Sequence, residues 1–396
     1  MMLNKQYWFL FIISLIGLLF QQTVALSTQP IKIQKITEIH PDQLQGIYIT
    51  DLDVTEDGFI AIAINDLAKI QVYNIDGELK NEYGRGGRGP GDFSNLTSVQ
   101  LTDSVVFAMD AGPAGRIQAF KRGDPEDYRT YQIPRSSKGS PNKMWLLKSG
   151  DFLIEFKPAF SSLSIQRELT SSFEIKPISD DRDLIFIFEN HINEAFIDQS
   201  DGGFSVSSMP YGRKNFITSS GDFIFHNWSD EFAFTKINLN SFEKTSIEPD
   251  KLPDRKTITK EGYRKYILDE LGISPKENIS RDNIDDLLKS LSTDASSRLK
   301  LRTIHAKLNN RDRLHDFYPA YRWIVGNEDR ICYGMYTDDL MVNKVNCMDE
   351  QGTLIWENEI SSDIEMLSNN GDYMAGLRQL DDGLQSVVVY KIEKVD

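Results

Sequence analysis

A turn containing glycine, followed by an aromatic residue and a short apolar strand, recurs along the chain and restricts the folds that it can adopt. The copies lie at residues 57–59, 102–107, 149–152, 220–223, 327–331 and 370–373. Neighbouring copies are about 45, 46, 71, 108 and 42 residues apart, and a four-stranded propeller blade takes about 40–50 residues. The chain is therefore predicted to be all-β, a six-bladed β-propeller of four-stranded antiparallel blades.

Two of the spacings exceed one blade, with surplus residues around 180–201 and 249–317. In the larger surplus the apolar period changes from two to that of a helix, because Tyr263, Tyr266, Ile267 and Leu271 share one helical face. We predict a helical insertion at about residues 250–316, between blades four and five. The alternative is a separate small domain, but two or three short helices would have little core of their own.

The last repeat, which begins near Asp372, leaves its blade one strand short. The segment at residues 31–39 alternates apolar and polar side chains and belongs to no other blade. We predict that this N-terminal strand completes the C-terminal blade. Closure of the ring in this way removes the unpaired strand edges that an open array would expose.

The N-terminus has the layout of an export signal. Lys5 precedes an apolar run at residues 8–20, and small residues follow up to Ala25. We predict a signal peptide at residues 1–25, a mature propeller at 26–396 and a secreted or periplasmic location. The alternative, an uncleaved anchor, is disfavoured because the run is shorter than the ~20 apolar residues of a membrane span, and we expect no span after cleavage.

Both cysteines lie on the arms of one predicted hairpin. Segments 330–336 and 341–348 read as strands, and a turn centred on residues 339 and 340 sets Cys332 directly opposite Cys347. Directly opposed Cβ atoms lie about 4.5–5.5 Å apart, slightly beyond the separation that a disulfide prefers. We predict a disulfide in an oxidising compartment, with two buried thiols as the alternative.

Charge excludes one class of partner. The chain has 44 basic and 59 acidic side chains and a formal net charge of −15. Nucleic-acid binding depends on clustered cations that neutralise phosphates, so we expect no nucleic-acid partner. A small molecule, a glycan or a protein remains as the partner.

The chain resembles the secreted bacterial six-bladed propellers related to NHL repeats. The resemblance lies in residues 69–77, in the glycine-rich segment 84–93 and in 318–322, which open blade five. It implies the architecture and no particular activity, because the fold hosts several chemistries. Segment 84–89 also fits G-x-G-x-x-G, but Pro90 and Gly91 continue as a turn where a dinucleotide site needs a helix.

No metal or catalytic motif is evident. The five histidines lack metal-ligand spacing, and no nucleophile motif is present. Some propeller hydrolases hold Ca²⁺ at the channel through acidic and amide residues, which here would be Asp53, Asp110, Asn227 and Asp372. A Ca²⁺-dependent lactonase or esterase is therefore the alternative function. Otherwise we expect no cofactor.

Two clusters of aromatic and basic residues open the predicted innermost strands of blades four and five. They contain Tyr211, Arg213, Tyr321 and Arg322, and both border the long insertions. Tyr and Arg on loops of a rigid ring suit a binding mouth. The leading hypothesis is a non-enzymatic ligand- or protein-binding propeller with these four residues near the site. The alternative is that the aromatic residues pack the insertion against the ring.

Overall fold

A computed structural model of the chain describes residues 31–46, 48–113, 115–158, 170–178, 183–198, 205–250, 252, 255–259, 261–263, 265–266, 304, 314–339, 341–380 and 384–394. The predicted signal peptide and most of the predicted insertion lie outside these ranges. In the described part of the insertion, residues 261–263, 265, 266 and 304 are helical. Among the described residues, no helix has the length and apolar character to cross a membrane.

Six four-stranded antiparallel sheets form the blades. In blades one to five the earliest strand lies along the common axis, and in blade six the N-terminal strand of the chain is the outermost strand. Blade one contains β2 (Ile49–Val54), β3 (Ile60–Ile64), β4 (Lys69–Tyr73) and β5 (Leu79–Tyr83). Blade two contains β6 (Leu96–Leu101), β7 (Val105–Asp110), β8 (Arg116–Lys121) and β9 (Asp124–Gln132). Blade three contains β10 (Ser140–Leu146), β11 (Phe152–Lys157), β12 (Thr170–Lys176) and β13 (Ile185–His191).

The second half of the chain repeats this order. A two-stranded hairpin, β14 (Ala195–Asp198) and β15 (Ser205–Ser208), precedes blade four. Blade four contains β16 (Asn215–Ser220), β17 (Phe223–Trp228), β18 (Phe234–Asn238) and β19 (Lys244–Ile247). Blade five contains β20 (Trp323–Gly326), β21 (Ile331–Tyr336), β22 (Val342–Met348) and β23 (Leu354–Ser361).

Blade six joins the two ends of the chain. Its inner strands are β24 (Ile364–Asn370), β25 (Tyr373–Gln379) and β26 (Gln385–Lys394), and its outermost strand is β1 (Ile31–Ile39). The register of β1 on β26 runs from Ile31 opposite Lys394 to Ile39 opposite Val387. One short helix, α1 (Pro41–Leu44), leads from β1 into blade one. The predicted closure by residues 31–39 is confirmed.

All six copies of the recurring turn have the same structural role. Each connects the innermost strand of a blade to the second strand, as the turn at Gly58 does between β2 and β3. Gly58 has a φ of +79°, and Gly150 has a φ of +86°, a region that favours glycine because it has no Cβ. The predicted count of six blades is therefore confirmed.

The core is divided among the blade interfaces. Six clusters of buried hydrophobic side chains occur among the described residues, one between each pair of neighbouring blades. The cluster between blades five and six contains Trp323, Trp356 and Val388, for example. Each sheet is thus buried on both faces, which holds the six innermost strands in fixed positions around the axis.

The two cysteines form a disulfide. Cys332 on β21 is directly opposite Cys347 on β22, their Cα atoms are 4.0 Å apart, and both side chains are buried. The predicted hairpin register and pairing are confirmed.

The glycine-rich segment 84–93 is the crossover from blade one to blade two and contains no helix. Gly84 has a φ of +78°, and a Cβ at this position would lie 2.1 Å from the Phe93 ring. Glycine is therefore required here by backbone conformation and by close packing. The rejection of a dinucleotide site is consistent with this turn.

Candidate functional site

The innermost strands enclose an axial channel with a volume of about 810 Å³. Its wall contains residues from all six blades, and most of them are polar. We use "entrance" for the end of the channel where the innermost strands begin. The other end is formed by the recurring turns, such as that at Glu56.

Five charged side chains surround the entrance, and they form what we call the entrance ring. They are Asp51 of blade one, Lys143 of blade three, Lys214 of blade four, Arg322 of blade five and Glu365 of blade six. Each lies among the first four residues of an innermost strand or directly before it. Three successive blades therefore supply cations, and the next two supply carboxylates.

One ion pair of the entrance ring joins blades one and three. The Nζ atom of Lys143 lies 3.1 Å from Oδ1 of Asp51, whose side chain is 2% exposed. The other oxygen of Asp51 accepts hydrogen bonds from the hydroxyl of Ser98 and the backbone N–H of Val99. Asp51 is thus fully engaged and anchors Lys143 in the wall.

A second ion pair joins blades four and six. Lys214 Nζ lies 2.9 Å from Oε1 of Glu365, and the two side chains are 41% and 48% exposed to the channel. Burial within the ring acts to raise the pKa of Glu365, but the charges of Lys214 and Arg322 outweigh it and hold the pKa below its usual value. One carboxylate therefore faces two cations here.

Among the described residues, Arg322 forms no ion pair within 4.0 Å, although its charge acts on Glu365. Its Nη1 donates to Oδ1 of Asn343 at 3.0 Å, and its guanidinium lies 5.3 Å from the centroid of the Tyr336 ring. Within the described ranges, no carboxylate lies within 4.0 Å of it in an ion pair. It also borders a cavity of about 40 Å³ beside the entrance. Most of its five N–H donors are thus left for another group.

Asp53 is a carboxylate without a cationic partner, two residues further along β2. Its oxygens accept hydrogen bonds from Ser368, from the backbone N–H of Leu101 and from that of Val54. Burial raises the pKa of Asp53 to about 6 despite these bonds, and the neighbouring charge of Asp51 adds to the increase. Among the residues that the structure describes, none forms an ion pair with it.

The insertion docks beside the entrance through aromatic side chains. The ring of Tyr211 contacts those of Tyr263 and Tyr266 from the insertion and those of Tyr318 and Tyr336 from the ring side. Its hydroxyl donates to the backbone carbonyl of Gly262. Tyr211 therefore packs the insertion against the ring, as the alternative from the sequence has it.

Two further candidate residues, Arg213 and Tyr321, are buried. Arg213 is 3% exposed, pairs with Asp230 at 2.7 Å and donates to the carbonyl of Phe317 at 3.1 Å. Tyr321 is 1% exposed, and its hydroxyl donates to the carbonyl of Phe232 at 2.6 Å. The binding role of the four candidates stays a prediction, and Arg322 is the one whose charge reaches the entrance.

The candidate calcium ligands lie apart. Asp53 is in the channel, whereas Asp372 is in the turn between β24 and β25. Asp110 accepts bonds from Ser94 and from Arg116. The Nδ2 atom of Asn227 donates to the backbone carbonyls of residues 231 and 233. In the part of the chain that the structure describes, no three His, Cys, Asp or Glu residues are grouped so that they could hold a metal ion.

The sequence carried a signal for the entrance ring that the search for motifs missed. Asp51, Lys143 and Lys214 each lie seven residues before the glycine of the recurring turn, at Gly58, Gly150 and Gly221. Arg322 lies seven residues before Asp329, and Glu365 lies six before Gly371. Alignment of the six blades on their turns would therefore have brought these charges to one level.

The fold and the channel define the class: the chain is a six-bladed β-propeller, as the resemblance to the bacterial propellers implied. Neither a protein-family model nor a curated protein matches it. Similar solved structures include a putative exported protein from Bacteroides fragilis, with 11% identity, 93% of this chain and 97% of that chain covered, and a TM-score of 0.48.

Two other similar structures are enzymes. Virginiamycin B lyase from Staphylococcus aureus has 12% identity, with 91% of this chain and 99% of that chain covered and a TM-score of 0.41. The PQQ-bound aldose sugar dehydrogenase from Streptomyces coelicolor has 10% identity, 92% and 99% coverage and a TM-score of 0.44. Similarity at this level carries no inference about activity.

Proposed function

We propose that the protein is an exported propeller, either secreted or periplasmic. It binds a small polar ligand in its axial channel and does not transform it. The observation that carries the proposal is the entrance ring, in which Asp51, Lys143, Lys214 and Glu365 line one end of the channel and Arg322 borders the small cavity beside it. Charged groups removed from bulk water cost free energy unless they are paired and hydrogen-bonded. A cluster of them around open space favours binding.

The size and the rigidity of the channel support a small ligand. Its volume of about 810 Å³ falls within the range of ~300–1,000 Å³ that ligand pockets occupy. Each innermost strand is fixed by two interface clusters, so the site is formed before the ligand arrives. A preformed site loses less conformational entropy on binding.

The disulfide supports export. Cys332 and Cys347 are paired, and structural disulfides persist in oxidising compartments such as the periplasm or the extracellular space. The acidic balance of the chain is compatible with a protein that stays dissolved there.

The experiment that tests the proposal obstructs the channel with a large side chain. Ser219 lies on β16 and faces the channel, so Ser219→Trp should obstruct it. Thr245→Trp is the matched control, because Thr245 is exposed on β19, the outermost strand of the same blade. Thermal shifts are measured with a library of polar solutes for the native protein and both variants.

We expect at least one solute to raise the unfolding temperature of the native protein and of Thr245→Trp, but not that of Ser219→Trp. Both variants should unfold within a few degrees of the native protein when no solute is added. If a solute stabilises Ser219→Trp as much as it stabilises the native protein, the solute binds outside the channel. This result would contradict the proposal.

A further inference from the structure

We infer that the channel ligand is a short peptide with free termini, whose carboxylate binds Arg322 and whose ammonium group binds Asp53. This inference rests on the proposed channel function and names the class of ligand. It follows from the pairing of the charges at the innermost strands, from the positions of the two unpaired residues in the blades, and from the surface of the channel.

Ion pairs join most of the described charged side chains on the innermost strands and at their starts. Lys143 pairs with Asp51, Lys214 with Glu365, and Asp363, directly before β24, with Arg378. Among the described residues of the innermost strands and their starts, Arg322 and Asp53 are the exceptions. A ligand that carries one negative and one positive group would leave neither unpaired.

The positions of the two residues exclude a single amino acid. Arg322 and Asp51 lie seven residues before equivalent turns, so they share a level, and Asp53 lies two residues further along its strand. Two residues correspond to about 7 Å along the axis. Blade six also separates Arg322 from Asp53 around the ring. The charged groups of one α-amino acid, only about 2.5 Å apart, are too close.

An extended peptide has the required span. At about 3.3–3.6 Å for each residue, two to four residues separate the terminal charges by about 7–14 Å. The arrangement at each end is suitable: Arg322 has a planar set of donors for a carboxylate, and Tyr336 is beside it. Asp53 offers a carboxylate whose raised pKa would return toward normal beside an ammonium group.

The channel wall also has partners for a peptide backbone and side chains. Asn215 and Ser368 supply polar groups, and the indole of Trp145 is partly exposed in the channel. Lys143 lies 5.7 Å from the centroid of that indole, which fixes the ring in the wall. Such a mixed surface accepts peptides with different side chains.

The experiment titrates four peptides of the same shape by calorimetry: trialanine, trialanine amide, N-acetyl-trialanine and N-acetyl-trialanine amide. We expect trialanine to bind most tightly, and the loss of either terminal charge to weaken binding about 10-fold. Arg322→Gln should abolish the difference between trialanine and its amide. Asp53→Asn should abolish the difference between trialanine and N-acetyl-trialanine.

The outcomes separate this inference from the proposed function. Equal affinity for the four peptides, or no binding of trialanine at millimolar concentration, overturns the peptide inference. A different solute that is sensitive to Ser219→Trp would then leave the channel function standing. Binding of trialanine to Ser219→Trp with unchanged affinity would instead contradict the channel function. Unfolding temperatures of Arg322→Gln and Asp53→Asn confirm that both variants are folded.

Discussion

Glu38 and Arg378 are joined across blade six although 340 residues separate them in the chain. Nη1 of Arg378 donates to both carboxylate oxygens of Glu38, at 3.0 and 2.8 Å, and the hydroxyl of Ser386 donates to Oε1 at 2.7 Å. Glu38 lies on β1, whereas the two donors lie on β25 and β26. Side chains therefore reinforce the backbone ladder that closes the ring.

Glu38→Gln should destabilise the protein at neutral pH. Burial acts to raise the pKa of Glu38, but hydrogen bonds from Ser386 and Lys35 and the charge of Arg378 outweigh it and lower the pKa to about 2. A lowered pKa contributes stability above the unfolded value of about 4.5, and this contribution is lost as the pH falls toward 2. We expect Glu38→Gln to unfold about 2–3 kcal/mol more easily at pH 7.

Denaturant unfolding between pH 7 and pH 3 measures this effect. The native protein should lose stability more steeply than Glu38→Gln as the pH falls below 4.5. Glu243→Gln is the control, because Glu243 is exposed in a turn of blade four. Parallel pH profiles for the native protein and Glu38→Gln would contradict the assignment.

Loss of the disulfide should lower stability without opening the fold. Cys332 and Cys347 close a loop with a sequence separation of 15, for which chain entropy gives about 3 kcal/mol. We expect the double variant Cys332→Ala and Cys347→Ala to unfold with a free energy lower by about that amount. Mass spectrometry of a non-reduced digest checks the pairing, and two free thiols would refute it.

Asp53→Asn should change the pH dependence of folding stability in the opposite sense to Glu38→Gln. Because the folded pKa of Asp53 is raised to about 6 from 3.8, the protein takes up a proton on folding between these values, and its stability falls as the pH rises through them. Asp53→Asn should remove this fall and should be at least as stable as the native protein at pH 7.5. Thermal unfolding of the native protein and of Asp53→Asn at pH 4.5 and 7.5 measures this change in stability. If stability changes equally in both proteins between the two pH values, the pKa of Asp53 is not raised.

Arg213→Ala should destabilise the protein, unlike Arg322→Ala. Arg213 is almost fully buried, and its removal leaves Asp230 without one partner and the carbonyl of Phe317 without a donor. We expect a loss of about 2–4 kcal/mol for Arg213→Ala and less than about 1 kcal/mol for Arg322→Ala. Thermal and denaturant unfolding of the two variants provide the comparison. Similar losses would contradict the contrast between a structural and an entrance arginine.

Removal of divalent ions tests the alternative hydrolase. If the protein binds its ligand without calcium, chelation should leave the unfolding temperature and peptide binding unchanged. Stoichiometric calcium in the purified protein, together with a lower unfolding temperature after chelation, would favour a Ca²⁺-dependent lactonase or esterase.

The architecture was accessible from sequence because its determinants are local. Gly58 and Gly150 mark turns that need a positive φ, and strands of period two follow them. The opposition of Cys332 and Cys347 depended only on the centre of one hairpin. Closure by β1 required a count of strands, which the spacing of the turns supplied.

The site was less accessible because it depends on convergence from distant segments. Arg213 and Arg322 occur in similar aromatic and basic surroundings in the sequence, yet Arg213 is buried and paired with Asp230, whereas Arg322 borders the cavity beside the entrance. Lys143 and Asp51 lie on different blades, and neither belongs to a recognisable motif. Motif searches examine neighbours along the chain, whereas the channel is formed by residues at one level of six strands.

The position of β1 in the last blade sets an order of events during synthesis. Residues 31–39 are synthesised before the five other blades, whereas the strand that they pair with, β26, is synthesised after them. β1 therefore has no partner strand until the five other blades and β26 have been synthesised. Both β1 and β26 are for this reason required for ring closure, and proteolytic removal of either strand would reopen the ring.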